Sequence, residues 1–255
     1  MKKHKDTTPT HHLIVETADW SNILLARKKG VAWDELRTRS GLSALGMAIF
    51  EGSALATQNL LEMGAPVLSE KLYDGQFFSP LWASLERRKP AILDLVLQAG
   101  CDPNEQHPDY GLPLMFAANQ TLLDETLILC KHGATPNTPN APTPLWLWIK
   151  HTIPYYDSNE QQWIFPEKNP IAALLKNGAR VAEDEGNDAG MGEIELAKKL
   201  WLKHPLKGVH HQNALLMLSL MERNLYANVT SESNLNANKD PEERHKSSAK
   251  REHRM

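Results

Sequence analysis

Apolar positions along this chain come in pairs of short runs. The first run of each pair opens on a small residue or Pro followed by Leu, and the second closes on a Gly. The openers are Ser43-Ala44-Leu45, Ser79-Pro80-Leu81, Pro113-Leu114 and Thr143-Pro144-Leu145. The closers are Leu60-Leu61-Glu62-Met63-Gly64-Ala65, Val96-Leu97-Gln98-Ala99-Gly100-Cys101, Leu129-Cys130-Lys131-His132-Gly133-Ala134 and Leu174-Leu175-Lys176-Asn177-Gly178-Ala179. From opener to Gly the distance is 20 in the first three copies (44 to 64, 80 to 100, 113 to 133). In the fourth it is 34 (144 to 178), an insertion of 14. Within a copy the apolar spacing is helical. Ile92, Leu93, Val96 and Leu97 recur as i, i+1, i+4 and i+5, which places them on one buried face.

Local signals set the ends of these helices. Pro in a first helical turn loses no hydrogen bond, because that N–H has no helical partner in any case. Ser79 and Thr143 precede such prolines as capping residues. A tight turn follows each first helix, at Gly52 in copy one and near Arg88-Lys89-Pro90 in copy two. The closing glycines stand where the chain needs a left-handed residue, which Gly adopts without a Cβ clash. Polar connectors such as Asp102-Pro103-Asn104 and Thr135-Pro136-Asn137 then lead to the next opener.

The Gly-to-Gly spacings are 36, 33 and 45, and Gly30 lies 34 before Gly64. A period near 33 with this signature resembles the ankyrin repeat. The resemblance covers roughly residues 19–181. It implies an all-α solenoid of about four to five stacked helix pairs with C-terminal capping helices. Its repeats fall near 13–30 (partial), 41–66, 77–103, 110–136 and 141–181, the last with an insertion at 153–168. Residues 1–12 read as a flexible N-terminal tail, and 13–181 as the solenoid. Residues 191–227 read as capping helices and 228–255, with almost no large apolar residue, as a disordered tail. Two departures from the family stand out. Gly46, Trp82, Met115 and Trp146 occupy the place of the usual His after the opener. The small residue two positions on is kept as Ala48, Ser84 and Ala117 but is Trp148 in copy four, so that pair is expected to pack differently.

Charge and composition narrow the function. A net charge of -3 and a pI near 6.4 give no electrostatic invitation to nucleic acid. Cys101 and Cys130 fall in core slots, and neither a disulfide framework nor a zinc pattern surrounds them. The basic start Met1-Lys2-Lys3-His4-Lys5 lacks a following apolar core, and no stretch is long enough for a membrane span. A cytoplasmic location is the expectation. No phosphate loop, Gly-x-Ser-x-Gly elbow or His-Glu-x-x-His motif occurs. The adjacent histidines His11-His12 and His210-His211 point about a hundred degrees apart on a helix and do not share an ion readily. The chain therefore reads as a non-catalytic protein-binding module with no cofactor and no metal.

Candidate binding residues cluster in three places. The insertion carries Tyr155, Tyr156 and Trp163, together with Phe165, on a Pro-bounded loop. These aromatics either anchor a partner or fold back over the stack's own apolar surface. The connector between copies one and two is long, and Asp74-Gly75 is a hairpin signal that sets Tyr73 and Phe77 at a protruding tip. The next connector offers His107, Asp109 and Tyr110. In the ankyrin family, finger tips and inner helices form the concave binding face, which implies one shared surface for these residues. Arg87, in the basic run Arg87-Arg88-Lys89, is a further candidate. The apolar run Leu215–Met221 is either buried by its neighbour or a surface for a weak dimer; the chain is expected to be a monomer or such a dimer. Two binding functions fit: an adaptor or scaffold docking another protein, and an immunity- or antitoxin-type inhibitor that masks a toxic enzyme.

Overall fold

Hydroxyl caps start the helices where the sequence places them. In the computed structural model, which describes residues 11–138, 142–181 and 192–237, Ser43 Oγ accepts from the Gly46 N–H at 3.0 Å and Ser79 Oγ from Trp82 N–H at 3.3 Å. Thr143 Oγ1 accepts from Trp146 N–H at 3.0 Å, and Asp19 from Asn22 N–H at 3.2 Å. The chain divides into two units, Met1–Thr135 and Pro136–Met255.

Among the described residues, the first unit holds four helix pairs. They are α1 (His11–Glu16) with α2 (Trp20–Lys28), α3 (Ala44–Glu51) with α4 (Ala54–Glu62), α5 (Pro80–Glu86) with α6 (Pro90–Gln98), and α7 (Pro113–Asn119) with α8 (Leu123–Lys131). First helices pack on first helices (α1 on α3, α3 on α5, α5 on α7), and second helices likewise (α4 on α6, α6 on α8). The last three of these pairs turn eight residues after their openers, at Gly52, Arg88 and Thr121, all left-handed (φ +72°, +53° and +54°). Only copy one uses Gly there. Arg88 and Thr121 hold a conformation that side chains disfavour, so packing of the two helices enforces this turn.

The small residues Ala48, Ser84 and Ala117 are fully buried where first helices meet. Around them Leu45, Ile49, Leu60, Leu81, Leu85, Ile92, Leu93, Val96, Leu114 and Leu129 form the core. Gly46, in the place of the family's His, answers a close approach: a Cβ there would run into Leu42 and come within 3.2 Å of the Phe78 ring.

The connectors are tied to one another by polar bonds. Asn104 Oδ1 accepts from the Thr135 N–H at 2.7 Å. In the second unit Asn137 does the same for Arg180 N–H at 2.9 Å and donates to Gly178 O at 2.8 Å. The same Asn therefore links successive repeats, once across the insertion.

On the second helices Asp94 collects three donors: Lys131 Nζ at 3.0 Å, His132 Nε2 at 2.7 Å and Gln98 Nε2 at 2.7 Å. The His132 bond leads in holding the Asp94 carboxyl below its ordinary value of 3.8. A carboxylate favoured in the folded state stabilises fully above that ordinary value, and the contribution is lost as pH falls through the folded one. Asp94→Asn is therefore expected to melt lower than the parent at neutral pH. The gap should close in melts taken at progressively lower pH below 3.8; a gap independent of pH would refute this origin.

The second unit contains α9 (Pro144–His151), α10 (Ile171–Lys176), α11 (Glu193–Trp201) and α12 (Gly208–Ala237). Here α11 lies beside α9 and α12 beside α10, with α9 packed on α10 and α11 on α12, the pairing scheme of the first unit. Three details differ from the sequence reading. The insertion, expected as a loop, contains a hairpin of two short strands. Helix α12 runs on to Ala237, so residues 228–237 are helical where the sequence predicts a disordered tail, and residues 238–255 lie outside the described residues. His11 and His12, assigned to the N-terminal tail, belong to α1, while residues 1–10 lie outside the described ones. Trp148 is buried at 6% exposure in place of the small residue of earlier copies.

Candidate functional site

In the first unit the candidate residues other than Arg87 stand on the connectors. Strands β1 (Glu70–Lys71) and β2 (Phe77–Phe78) pair antiparallel, Glu70 with Phe78 and Lys71 with Phe77. Alternation along a strand sends neighbouring side chains to opposite faces. Glu70 and Phe78 face the stack, and Lys71 and Phe77 face out. Gly75 at φ +88° closes the turn, and Asp74 Oδ1 accepts from the Gln76 N–H at 2.9 Å. Tyr73 is fixed to the preceding connector. Its N–H donates to Ser40 O at 2.9 Å, and its ring lies so near Gly41 that a Cβ there would be 3.1 Å from it. Tyr73 and Phe77 nonetheless keep 73% and 69% of their surface in solvent.

Inward-facing Glu70 holds this hairpin to the opener of copy one. Its carboxylate accepts from the Ser43 N–H at 2.9 Å and from Arg37 at 3.2 Å. The next connector pinches at His107 and Gly111, which exchange both backbone hydrogen bonds. There Tyr110 stacks on His107 (centroids 4.5 Å apart) and meets Phe116 at 5.1 Å and Trp82 at 5.9 Å. Trp82 Nε1 donates to Glu105 O at 3.1 Å. This indole, standing where the family has His, thus ties its helix to the following connector. Tyr110 stays 47% exposed.

Tyr73 and Phe77 share one hairpin, and Tyr110 tops the following connector. Arg87 is set apart. It ends α5, whereas the connectors meet the start of that helix at Ser79, about 10 Å away for seven residues. Its guanidinium instead lies 3.9 Å from the centre of the Phe50 ring, a cation–π contact between neighbouring helix-pair turns. Phe50 and Phe116 are not marked by the sequence, and Trp82 is marked there only as a departure from the family. Each sits within an apolar helical run that reads as core.

In the second unit, strands β3 (Tyr155–Asp157) and β4 (Gln162–Ile164) pair Tyr155 with Ile164 and Tyr156 with Trp163. The hairpin divides the aromatics. Tyr155 and Tyr156 remain 53% and 54% exposed. Trp163 stacks on His204 with centroids 3.9 Å apart. Phe165 is buried against Trp201, ring centres 5.1 Å apart.

Burial pushes the Cys101 thiol up to about 12, helped by Glu105 and Asp102, and the Cys130 thiol up to about 11. Among the described residues, no three His, Cys, Asp or Glu side chains gather at metal-binding distance. No described helix is long and apolar enough to cross a membrane.

Comparison with known proteins places this architecture. An ankyrin repeat domain from Acinetobacter baumannii AYE superposes with a TM-score of 0.54 at 21% identity, covering 82% of this chain and 96% of that one. A crystal structure of another ankyrin repeat protein gives a TM-score of 0.50 at 16% identity, covering 84% and 98%. This chain has the ankyrin-repeat fold. In sequence, a Treponema pallidum (strain Nichols) protein described as ankyrin repeat-containing is 31% identical over 103 residues, 40% of this chain. The match spans 33% of that relative's length. No family model matches the chain. In ankyrin terms, Tyr73, Phe77 and Tyr110 lie on the fingers, and Phe50 and Arg87 on the opposite turns of the helix pairs.

Proposed function

We propose that this chain is a non-catalytic adaptor that binds another protein across the fingers of its first unit. The observation carrying this reading is the exposure of Tyr73, Phe77 and Tyr110 on finger turns that are themselves fixed by hydrogen bonds. Large aromatics in water leave apolar surface unburied, and a partner that covers them gains that burial. Because the fingers are already held, little conformational entropy is lost on docking. Tyr155 and Tyr156, with Trp163 beside them, offer a further aromatic surface on the second unit. The non-catalytic reading is supported by the thiols, since both are protonated at neutral pH and so make poor nucleophiles.

The test is a capture experiment with tagged protein from its native host, beside a Tyr73→Ala, Phe77→Ala, Tyr110→Ala triple variant. One dominant partner should be retained by the parent and lost by the variant, with the two melting within a few degrees of each other. Recovery of the same partners by the variant would overturn the finger site. A captured enzyme whose activity is blocked in a tight one-to-one complex would replace the adaptor with the inhibitor reading.

A further inference from the structure

Partly exposed aromatic rings in this protein carry a cation supplied by the chain itself. Arg27 lies 4.8 Å from the centre of the Trp33 ring, Arg87 3.9 Å from that of Phe50, and Lys150 5.2 Å from that of Trp146. The face of an aromatic ring is negative, and a cation over it is held by the ring's quadrupole. The finger of residues 101–112 departs from this habit. Tyr110 rests on His107, with Phe116 and Trp82 beside it, and stays exposed. Among the described residues no cation lies over it. The same finger is acidic: residues 101–112 hold Asp102, Glu105 and Asp109 and no Lys or Arg. Among the described residues, none of these carboxylates has a cationic partner. The hydrogen bonds they accept come from neutral groups, the Asn104 N–H to Asp102 Oδ1 at 2.9 Å and Ser69 Oγ to Glu105 Oε1 at 3.2 Å. The Asp109 N–H donates to His107 Nδ1 at 3.1 Å, which sets Asp109 beside the stacked rings. The Trp82 indole fastens the Glu105 backbone to the same cluster.

We infer that this finger takes an arginine side chain of the partner, so that the bound segment is a basic one. This rests on the finger reading under Proposed function and adds the partner's chemistry to it. An exposed ring bordered by carboxylates suits a guanidinium in two ways. Its flat, weakly hydrated face stacks on the ring, and its forked N–H groups pair with a carboxylate. A lysine ammonium is more strongly hydrated and gains less from the ring. An acidic segment is repelled by the three carboxylates, which sets the specificity as much as the attraction does. The preceding finger differs. There Lys71 and Asp74 offset each other in charge, and Tyr73 and Phe77 offer apolar contact. The bond from Ser69 to Glu105 ties the two fingers side by side. The bound segment therefore sets an apolar side chain against Tyr73 and Phe77 and an arginine against Tyr110.

Titration of the full chain with a short peptide carrying two arginines among glycines, followed by NMR at the Trp82 indole N–H, tests this. Matched peptides carry lysine or glutamate in place of arginine. The arginine peptide should give a saturable shift, the lysine peptide a weaker one and the glutamate peptide none. Tyr110→Leu should weaken the arginine peptide about two- to fivefold, the size of an exposed cation–π contact. Glu105→Gln with Asp109→Asn keeps the acceptor oxygens and removes the charge. It should weaken the peptide by a similar factor and flatten its dependence on salt. Phe77→Ala, on the preceding finger, should leave the affinity unchanged, and all variants should melt within a few degrees of the parent. An arginine peptide that shifts nothing overturns the inference. So does a lysine or glutamate peptide that binds as tightly, or a Tyr110→Leu protein that binds as the parent does. The capture experiment is independent of this one: a partner lost from the triple variant, beside a silent arginine peptide, would keep the finger site and remove the arginine.

Discussion

Phe165→Ala should destabilise the second unit by about 3–5 kcal/mol, the usual range for removing a buried Phe. The ring is 1% exposed and meets the edge of Trp201, which is itself fully buried. Its loss leaves an indole facing a void that α9 and α11, each fixed by its own helix partner, cannot readily close. Replacing residues 153–168 by a short Gly-Ser link removes Phe165 together with the buried Ile164, so its cost should be at least as large. Tyr155→Ala and Tyr156→Ala, more than half exposed, should each stay within about 0.5 kcal/mol of the parent. Urea denaturation measures all four, with an unchanged m-value indicating that the same surface unfolds. A Phe165→Ala protein as stable as the parent would show that the base of the insertion is not core.

Glu70→Ala should cost about 2–4 kcal/mol through the first unit, as expected when a buried hydrogen-bonded charge is deleted. Glu70 is 9% exposed and accepts from Ser43 N–H and Arg37. Truncation leaves the Ser43 N–H buried without this acceptor and removes the charge beside the Arg37 guanidinium. Glu70→Gln keeps an acceptor oxygen but not the charge, and its midpoint should fall between parent and alanine variant. The finger bearing Tyr73 and Phe77 hangs on the same contact. Hydrogen exchange at the Leu72 and Gly75 amides should therefore quicken in Glu70→Ala more than at the core of α6. Equal protection in the two proteins would separate the carboxylate from the finger.

The helix pairs were legible because their signals are local. A hydroxyl before a Pro-Leu opener satisfies an N–H three residues on, and a Gly after an apolar run takes the left-handed turn. Neither depends on distant contacts, so spacing alone located the openers and closers of four copies. The Asp74-Gly75 turn was readable for the same reason, and it placed Tyr73 and Phe77 at an exposed tip. The candidate site was less legible. Arg87 and Phe50 belong together only because neighbouring repeats stack, and Trp82 gains its tie to Glu105 only when the next finger arrives.

The insertion and the C-terminal helix mark where sequence stops deciding. Tyr155, Tyr156, Trp163 and Phe165 are alike as aromatics, and composition does not sort them. Strand register does: it opposes Tyr156 to Trp163 and carries the chain so that Phe165 reaches Trp201. In α12 the run from Ala214 to Met221 is apolar almost all round, so its periodicity names no inner face. Only packing against α10 and α11 turns Ala214, Leu218 and Met221 inward and leaves Leu215 and Leu216 in water. The sequence by itself determined the repeat, its caps and its turns, because backbone propensity and capping act within a few residues. Which aromatic is core and which is surface was decided by the tertiary structure, because burial depends on neighbours that are distant along the chain.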